Sequence, residues 1–535
     1  MPRLTIDGRE VEIAEGATIL DAARKLGIDV PALCWREGGR PSTSCMVCVV
    51  KVAGRRDLVP SCTAPAADGM VVESETDEVR EARRTALELL LGDHLGDCEA
   101  PCQTICPASL NIPKMARAIR DGRLADAARI ARDDLVLPAS LGRICPAPCE
   151  KGCRRGALDE AVSIRLLHRF AADQAGLRAA GGSTPWHATT ATFRSPLETA
   201  GGGKRVAIIG AGPAGLAAAY HLLRKGVACT VFDDHDRPGG MLRWGVEQTR
   251  LPRNVVDAET AVIGKMGAEF RLGVRVGRDV ALDVLRREVG AIIVAVGECK
   301  EGDAERLGLA ASKTGIQADR HTGRSSVEGV FVAGDAVRKS RMAVRSVGAG
   351  KAVAASVAEY LAGGPVAGVA RRFSVHVGQV EKEEGRAFLA EASDRPRLTP
   401  SGGPDAGFTE AEAPAEAARC LHCDCRKPES CRLRLYAQQF DARTARYKGE
   451  ERRRFVQNRG AGVIYEPGKC IDCGICIQIA EAAREPLGLT FIGRGFDVRV
   501  GVPFNGSLAE GLRTAAAACA AACPVGALSL ENGEE

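Results

Sequence analysis

The chain has 535 residues, of which 45% are hydrophobic and 26% charged, so we expect about three to five globular domains. A formal net charge of +5 is small for this length and argues against nucleic-acid binding. The sequence has no export-signal pattern and no run of about 18 apolar residues, so we expect a cytoplasmic protein without a transmembrane segment. In a reducing compartment its 21 cysteines indicate metal ligands rather than disulfides.

Residues 1–75 predict a small mixed domain. LTIDGREVEI predicts a β-hairpin that turns at Asp7-Gly8, and ATILDAARKLG predicts an amphipathic helix ending at Gly27. A cysteine group with the spacing C-x10-C-x2-C-x13-C follows, which suits a [2Fe–2S] cluster, with zinc as the alternative. It resembles the N-terminal [2Fe–2S] domain of the respiratory complex I large subunit and of related formate dehydrogenases and hydrogenases. The group comprises Cys34, Cys45, Cys48 and Cys62.

Residues 76–180 have a helical pattern interrupted by two cysteine trios. Six thiolates are two ligands short of the eight that two [4Fe–4S] clusters need. The segment resembles the N-terminal helical domain of the glutamate synthase small subunit and dihydropyrimidine dehydrogenase. That resemblance implies two [4Fe–4S] clusters held by interleaved cysteines, with one ligand that is not cysteine. The trios are Cys98, Cys102 and Cys106, and Cys145, Cys149 and Cys153.

Two histidines fall at the missing ligand positions. The resemblance places His168, in the stretch LLHRF, at the ligand that is not cysteine. His94 precedes Cys98 with the spacing His-x3-Cys, which also resembles a histidine ligand of the complex I large subunit. The alternative for either histidine is a surface or helix-cap residue. Family pairing implies one cluster on His94, Cys98, Cys102 and Cys153, and the other on Cys106, Cys145, Cys149 and His168.

After a Gly/Ser/Thr-rich linker at 181–203, residues 204–363 predict a dinucleotide-binding domain. VAIIGAGPAGLAAAYHLL reads as strand, glycine turn and helix, with Gly210, Gly212 and Gly215 as the fingerprint. Asp233 ends the next strand, where a carboxylate can bind ribose hydroxyls. With the late GVFVAGDAV, which holds Gly334-Asp335, the domain resembles the FAD half of the glutamate synthase small subunit family.

The same family carries a second glycine fingerprint, for NADPH, between the two FAD segments. Here AIIVAVGECK is followed within about forty residues by VFVAGDAV, too short a stretch for another nucleotide domain of about 110 residues. Direct oxidation of NAD(P)H by the usual route is therefore not expected.

Two further cysteine groups lie near the C-terminus. A connector at 364–435 has the spacing C-x2-C-x-C-x5-C, which suits either a [4Fe–4S] cluster or zinc. Residues 460–535 keep one cluster motif of the bacterial two-cluster ferredoxins, and Ala480 occupies a ligand position of the lost one. The first group is Cys420, Cys423, Cys425 and Cys431, and the second is Cys470, Cys473, Cys476 and Cys523.

The predicted fold class is multidomain α/β and α+β. It combines a β-grasp ferredoxin, a helical double-cluster domain, a Rossmann-like FAD domain without the NADPH insertion, and a C-terminal ferredoxin-like domain. The expected cofactors are FAD, one [2Fe–2S] and three to four [4Fe–4S] clusters.

The sequence thus predicts an oxidoreductase subunit that relays electrons between a flavin and clusters. Its expected partners are redox subunits of the NADH-oxidising flavoprotein or molybdenum-dependent dehydrogenase type. The alternatives are a stand-alone NAD(P)H-dependent FAD oxidoreductase and a relay or scaffold subunit without catalysis. No residue is assigned a catalytic role.

Overall fold

The computed structural model describes residues 1–181, 205–369, 372–390, 392–403, 405–449 and 452–531, except the side chains of 175–181, 382 and 496. Nearly all of the predicted linker lies outside these residues. The chain forms two compact units, and the predicted domain boundaries stay predictions. Unit 1 comprises Met1–Glu99, Arg372–Ala390 and Cys423–Glu535, and unit 2 comprises Ala100–Arg371 and Glu391–His422.

The secondary structure alternates between short strands and helices. The strands are β1 Arg3–Ile6, β2 Arg9–Glu12, β3 Val49–Val52, β4 Val59–Pro60, β5 Val71–Glu73, β6 Val206–Ile209, β7 Cys229–Asp233, β8 Glu269–Leu272, β9 Ala291–Val294, β10 Ala311–Ser312, β11 Gly315–Ile316, β12 Val330–Val332, β13 Asn458–Gly460, β14 Val463–Tyr465, β15 Thr490–Ile492, β16 Arg499–Gly501 and β17 Leu528–Leu530. The helices are α1 Ile19–Lys25, α2 Asp77–Asp93, α3 Pro101–Ile105, α4 Ile112–Arg120, α5 Leu124–Leu135, α6 Pro138–Ile144, α7 Pro148–Lys151, α8 Ile164–Gly181, α9 Pro213–Arg224, α10 Met241–Trp244, α11 Arg253–Lys265, α12 Leu282–Glu288, α13 Asp303–Arg306, α14 Ala343–Leu361, α15 Lys382–Leu389, α16 Glu412–Ala417, α17 Arg432–Gln439, α18 Ile475–Ala482, α19 Leu508–Gly511 and α20 Ala516–Ala522.

The N-terminal part of unit 1 is a five-stranded sheet in the order β2-β1-β5-β3-β4. The predicted hairpin is confirmed: β1 and β2 pair antiparallel, and Asp7 and Gly8 turn with φ of 48° and 75°. The predicted helix is α1, where Thr18 and Asp21 form a capping box and Gly27 follows the end. The loop between α1 and β3 carries Cys34, Cys45 and Cys48, and Cys62 follows β4.

The C-terminal part of unit 1 contains the sheet β13-β14-β17 and the hairpin β15-β16. One buried core joins this part to loops from the beginning of the chain. It includes Cys34, Cys98, Cys431 and Cys473, each from a different predicted cysteine group. Unit 1 therefore brings several candidate ligand loops onto a common core.

The helical part of unit 2 runs from α3 to α8. The buried carboxylate of Glu259, on α11, accepts hydrogen bonds from the amides of Ala139 (2.7 Å) and Ser140 (2.9 Å). These amides lie in the first turn of α6, where unpaired N–H groups need acceptors. Burial raises the pKa of Glu259, with Arg132 and these hydrogen bonds acting in the opposite direction. The carboxylate fixes α6 against the dinucleotide-binding part.

The dinucleotide-binding part is a parallel sheet in the order β12-β9-β6-β7-β8. The turns after β6, β7 and β12 leave the same edge, because the carboxyl ends of parallel strands coincide. The structure describes every residue between Val294 and Val330. The helices and strands of this stretch are α13 and the hairpin β10-β11. Among the described residues, no helix is long and apolar enough to cross a membrane.

Candidate functional site

The first cysteine group converges in unit 1. All four thiols are buried, and hydrogen bonds link Cys34 to Cys45 and Cys62, and Cys62 to Cys48. The bond from Cys45 lowers the pKa of Cys34, and the bond to Cys34 raises the pKa of Cys45. Four converging thiols form the donor set that a [2Fe–2S] cluster requires.

A buried cation accompanies this group. The guanidinium of Arg83, on α2, donates to the carbonyl oxygen of Val49 at 3.0 and 3.3 Å and pairs with Glu75. Burial lowers the pKa of Arg83, while Glu75 and the nearby Cys48 oppose that shift. Arg83 therefore places positive charge near the thiolates. The spacing of the cysteines does not indicate this cation.

The C-terminal group also converges. Cys470, Cys473, Cys476 and Cys523 line one cavity with Tyr465. Burial raises the pKa of Cys473 to about 12, with the thiols of Cys523 and Cys476 adding to it. The hydroxyl of Tyr465 donates to Val500 at 2.8 Å, which leaves the cavity lined by sulfur and apolar groups. This donor set fits one [4Fe–4S] cluster.

The first and C-terminal groups are neighbours. Ser42, between Cys34 and Cys45, donates its hydroxyl to the carbonyl oxygen of Cys473 at 2.8 Å. The charge of Cys34 also contributes to the raised pKa of Cys473. The two loops are thus in direct contact.

In unit 2 the structure brings Cys106, Cys145 and Cys149 together. Burial raises the pKa of Cys145 and of Cys149, and the charge of Cys106 adds to both shifts. His168 lies on α8, which packs against α6, the helix immediately before Cys145. These positions agree with the predicted quartet of Cys106, Cys145, Cys149 and His168, which stays a prediction.

The imidazole of His168 is oriented by the backbone. Its Nδ1 lies 3.2 Å from the carbonyl oxygen of Pro138, so Nδ1 must donate and Nε2 keeps the lone pair. Burial lowers the pKa of His168 to about 4, against the effect of this hydrogen bond. A buried, neutral and oriented imidazole is the form that ligates metal.

The quartet predicted from His94, Cys98, Cys102 and Cys153 is divided between the units. His94 and Cys98 belong to unit 1, whereas Cys102 and Cys153 belong to unit 2. The connector group is divided too, since Cys420 belongs to unit 2 and the other three cysteines to unit 1. Both groupings stay predictions.

Within unit 1, His94 and Cys98 line a cavity together with Cys425 and Cys431. The side chains of Lys469 and Arg434 line it as well. Lys469 is buried and paired with Glu466. Sequence patterns did not indicate either cation, because neither belongs to a ligand motif.

The dinucleotide fingerprint forms a cradle after β6. Gly210 turns with φ of 108°, and a β-carbon there would clash with the Ala295 carbonyl oxygen. Gly212 caps α9 with an ordinary φ of −81°, and a β-carbon there would meet only Gly240 Cα, at 3.9 Å. Gly212 therefore leaves open space at the N-terminus of α9, where a pyrophosphate is stabilised. A β-carbon on Gly215 would clash with the Gly210 carbonyl oxygen.

Two carboxylates flank the cradle. Asp233, at the end of β7, accepts from the Ala211 amide at 2.6 Å and lies 2.8 Å from Nδ1 of His235. Asp335 follows β12 and accepts from the hydroxyls of Ser340 (2.8 Å) and Ser346 (3.3 Å). Both lie at the sheet edge where the sequence places them, and the open cradle between them fits a dinucleotide.

Helix α14 contacts both the cradle and a cluster loop of unit 2. Gly350 packs on the carbonyl oxygen of Ala214 in α9, and Ser346 binds Asp335. Gly348 packs on the carbonyl oxygen of Pro107, the residue after Cys106. These three contacts lie within about one and a half turns of one helix.

Three family models match the chain. They describe a 2Fe-2S iron-sulfur cluster binding domain at residues 2–77, a dihydropyrimidine dehydrogenase domain II with a 4Fe-4S cluster at 74–179, and an NAD(P)-binding Rossmann-like domain at 208–263. The resemblance seen in the sequence is confirmed over these segments, as is the multidomain fold class in coarse outline.

Curated relatives match in about 200 residues. The NADP(+)-dependent formate dehydrogenase subunit beta of Moorella thermoacetica is 42% identical over 207 residues, covering 37% of this chain and 29% of the relative. The NAD-dependent dihydropyrimidine dehydrogenase subunit PreT of Escherichia coli K12 is 36% identical over 204 residues, or 37% of this chain and 46% of the relative. The glutamate synthase [NADPH] small chain of the same strain is 35% identical over 208 residues, which cover 38% of this chain and 42% of the relative. The chain thus spans less than half of the length of each of these relatives.

Proposed function

We propose that the chain is an electron-transferring FAD and iron–sulfur subunit of a cytoplasmic oxidoreductase complex. The observation that carries this proposal is the position of α14, which contacts the dinucleotide cradle and the loop after Cys106. A flavin bound in this cradle would exchange electron pairs, whereas clusters carry single electrons. The residues of α14 would hold the two kinds of centre next to one another.

A second contact supports a relay through unit 1. Ser42 joins the first cysteine loop to Cys473, and Lys469, which lines the His94 cavity, directly precedes Cys470. Three candidate centres in unit 1 are therefore connected by hydrogen bonds or adjacent residues. We propose one [2Fe–2S] and three to four [4Fe–4S] clusters, held by cysteine and histidine ligands; with four, the chain would carry roughly 18 irons.

The names of the relatives support the assignment to a larger complex. The formate dehydrogenase and dihydropyrimidine dehydrogenase relatives are named as subunits, and the glutamate synthase relative as a small chain. We propose that a partner subunit, an NADH-oxidising flavoprotein or a molybdenum-dependent dehydrogenase, supplies or removes the electrons.

A stand-alone NAD(P)H-dependent oxidoreductase is the second candidate. The match of residues 208–263 to an NAD(P)-binding Rossmann-like domain favours it. Against it, the chain between β9 and β12 forms a short helix and a hairpin where a second nucleotide-binding unit would have to lie.

Anaerobic mixing tests the two candidates. The purified chain, analysed for FAD and for roughly 18 irons, is mixed with NADH or NADPH while flavin absorbance is followed. The relay proposal predicts no bleaching with either nucleotide and rapid bleaching after the partner complex and its substrate are added. Bleaching by nucleotide alone, at a rate that does not increase with the partner, would instead establish the second candidate.

A further inference from the structure

The cavity in unit 1 that His94 and Cys98 line is built from several distant segments. Cys98 donates its amide to Val375 at 3.1 Å, and the amide of Cys425 donates to the Cys98 carbonyl oxygen at 3.4 Å. Leu95 donates to the Gly468 carbonyl oxygen at 2.6 Å, which places the loop after α2 beside Lys469. These backbone contacts hold the His94 loop against the stretch from Cys425 to Cys431.

The imidazole of His94 has a free ligand atom in this cavity. Its Nδ1 is buried and, among the described residues, has no hydrogen-bond partner. Burial lowers the pKa of His94 to about 4, helped by the Lys469 cation and opposed by a hydrogen bond to the Lys469 backbone. Burying a polar atom without a partner is unfavourable, so a missing ligand is the physical expectation.

The sulfur atoms of the cavity are surrounded by donors and positive charge. The Val375 amide donates to Cys98 Sγ at 3.4 Å. Burial raises the pKa of Cys98, while that amide and the Arg434 cation act to lower it. Burial lowers the pKa of Lys469, but Glu466 and Cys425 outweigh burial and hold it above its ordinary value. The cavity can therefore balance the negative charge of several thiolates.

The spacing of the ligand atoms favours a cluster over a single metal ion. Tetrahedral zinc brings its thiolate ligands to about 3.8 Å from one another. Among the described residues, only Asp233, Asp234 and His235 place three such ligand atoms within 4.8 Å of one another. No three of His94, Cys98, Cys425 and Cys431 place their ligand atoms that close together. The four ligands of an iron–sulfur cube, by contrast, bind four different iron atoms.

We propose that His94, Cys98, Cys425 and Cys431 ligate one [4Fe–4S] cluster. This grouping differs from the sequence prediction, in which family pairing places Cys98 with Cys102 and Cys153, and spacing places Cys425 in the connector group. It does not rest on the proposed electron route, because it concerns only which residues share a centre. This grouping leaves Cys102, Cys153 and Cys420, all of unit 2, outside the centre.

Paired serine substitutions distinguish the two groupings. Cys98→Ser, Cys425→Ser and the double variant are purified anaerobically, and iron, FAD and the low-temperature EPR spectrum of the reduced protein are measured. We expect each single variant to lose the same EPR signal and roughly four irons, and the double variant to lose no more. A double variant that loses about twice as much iron as either single variant would overturn the shared centre.

Ligation by His94 is tested with a variant that replaces the imidazole by another cluster ligand. His94→Cys should retain all iron and FAD while one cluster shifts to lower potential, because a thiolate replaces a neutral imidazole. Unchanged potentials would overturn ligation by His94. Loss of zinc rather than iron from Cys425→Ser would overturn the cluster assignment.

His376 provides the matched control, since it lies next to Val375 but does not line the cavity. Its Nδ1 is 3.9 Å from Asp97, and 42% of its side chain is exposed. His376→Ala should keep every signal and potential. Loss of the same EPR signal in this variant would show that any nearby change removes the cluster, and would overturn the inference from His94.

Discussion

Gly348 lies so close to the carbonyl oxygen of Pro107 that a β-carbon on the glycine would clash with it. Pro107 follows the predicted cluster ligand Cys106, and the next carbonyl oxygen, of Ala108, accepts from Lys351 at 3.2 Å. The absence of a side chain at Gly348 therefore allows α14 to touch the cluster loop. This contact connects a helix beside the dinucleotide cradle directly to a cysteine group of unit 2.

Gly348→Ala should separate α14 from the loop after Cys106. We expect the free energy of unfolding to fall by about 1–3 kcal/mol, because overpacking forces the backbone to move. The rate of electron transfer from reduced flavin to the clusters should fall, with FAD content unchanged. Flash reduction of the flavin measures that rate, and thermal unfolding measures the stability.

Gly264→Ala is the matched control, because Gly264 is also helical and the nearest atom to its β-carbon would be Phe270 Cε2 at 3.8 Å. This variant should keep the transfer rate and gain up to about 1 kcal/mol from helix propensity. If both alanine variants behave alike, the contact between Gly348 and Pro107 is not important for transfer.

A second prediction concerns pH and the attachment of α15 in unit 1. Glu384 binds the Arg452 guanidinium and accepts from the Phe455 amide at 2.7 Å. The hydrogen bond from Arg452 holds the pKa of Glu384 at about 2, against the effect of burial. Because the folded-state pKa is lowered, this stabilisation is complete above the ordinary value of 4.5 and is lost as the pH falls towards 2.

Glu384→Gln should lower the free energy of unfolding by about 1.5–3 kcal/mol at neutral pH, the usual value of hydrogen bonds to a charged group. The difference in unfolding free energy between the variant and the wild-type protein should shrink as the pH falls from 4.5 towards 2. Urea unfolding of both proteins across that range measures it. Glu383→Gln, at an exposed neighbouring position, should show no such difference. A constant difference at every pH would contradict the role of the ionised carboxylate.

Local patterns predicted the parts of this structure that depend on nearby residues. The hairpin at Asp7-Gly8, the helix α1 and the turn at Gly210 follow from backbone preferences within a few residues. The convergence of Cys34 with Cys62, and of Cys470 with Cys523, also agrees with motif spacing. In each case the sequence restricts the backbone enough to place the groups.

Contacts between distant segments were not predictable in the same way. The spacing of cysteines along the sequence cannot indicate that the loop of His94 meets the stretch ending at Cys431, because that contact depends on the tertiary fold. Nor did the sequence indicate that Lys469 would be buried beside Cys425, since an isolated lysine before a cysteine motif usually lies at the surface. Positive charge near thiolates is therefore found only from the tertiary structure.

A third prediction tests the cradle for FAD. Gly212→Val should abolish FAD binding with little change in the fold, because Gly212 has an ordinary φ and its β-carbon would meet only Gly240 Cα. The valine would fill the space that a pyrophosphate needs at the N-terminus of α9. FAD content and thermal unfolding of the anaerobically purified protein measure the two effects.

Gly215→Val serves as the comparison, because a β-carbon there would clash with the Gly210 carbonyl oxygen. This second variant should lose stability as well as FAD, since the clash lies within the protein itself. Retention of FAD by Gly212→Val would show that the pyrophosphate does not approach this residue.

The last prediction concerns His168, whose Nδ1 is occupied by the Pro138 carbonyl oxygen. We expect His168→Ala to lose roughly four irons and one EPR signal, while FAD and the [2Fe–2S] signal remain. His168→Cys should keep its iron with one cluster at a lower potential, because the new thiolate adds a negative charge. His221→Ala is the control, since His221 is another histidine whose pKa is lowered by burial, to about 3. If His168→Ala keeps its iron and potentials as His221→Ala does, the ligand that completes Cys106, Cys145 and Cys149 must be another residue.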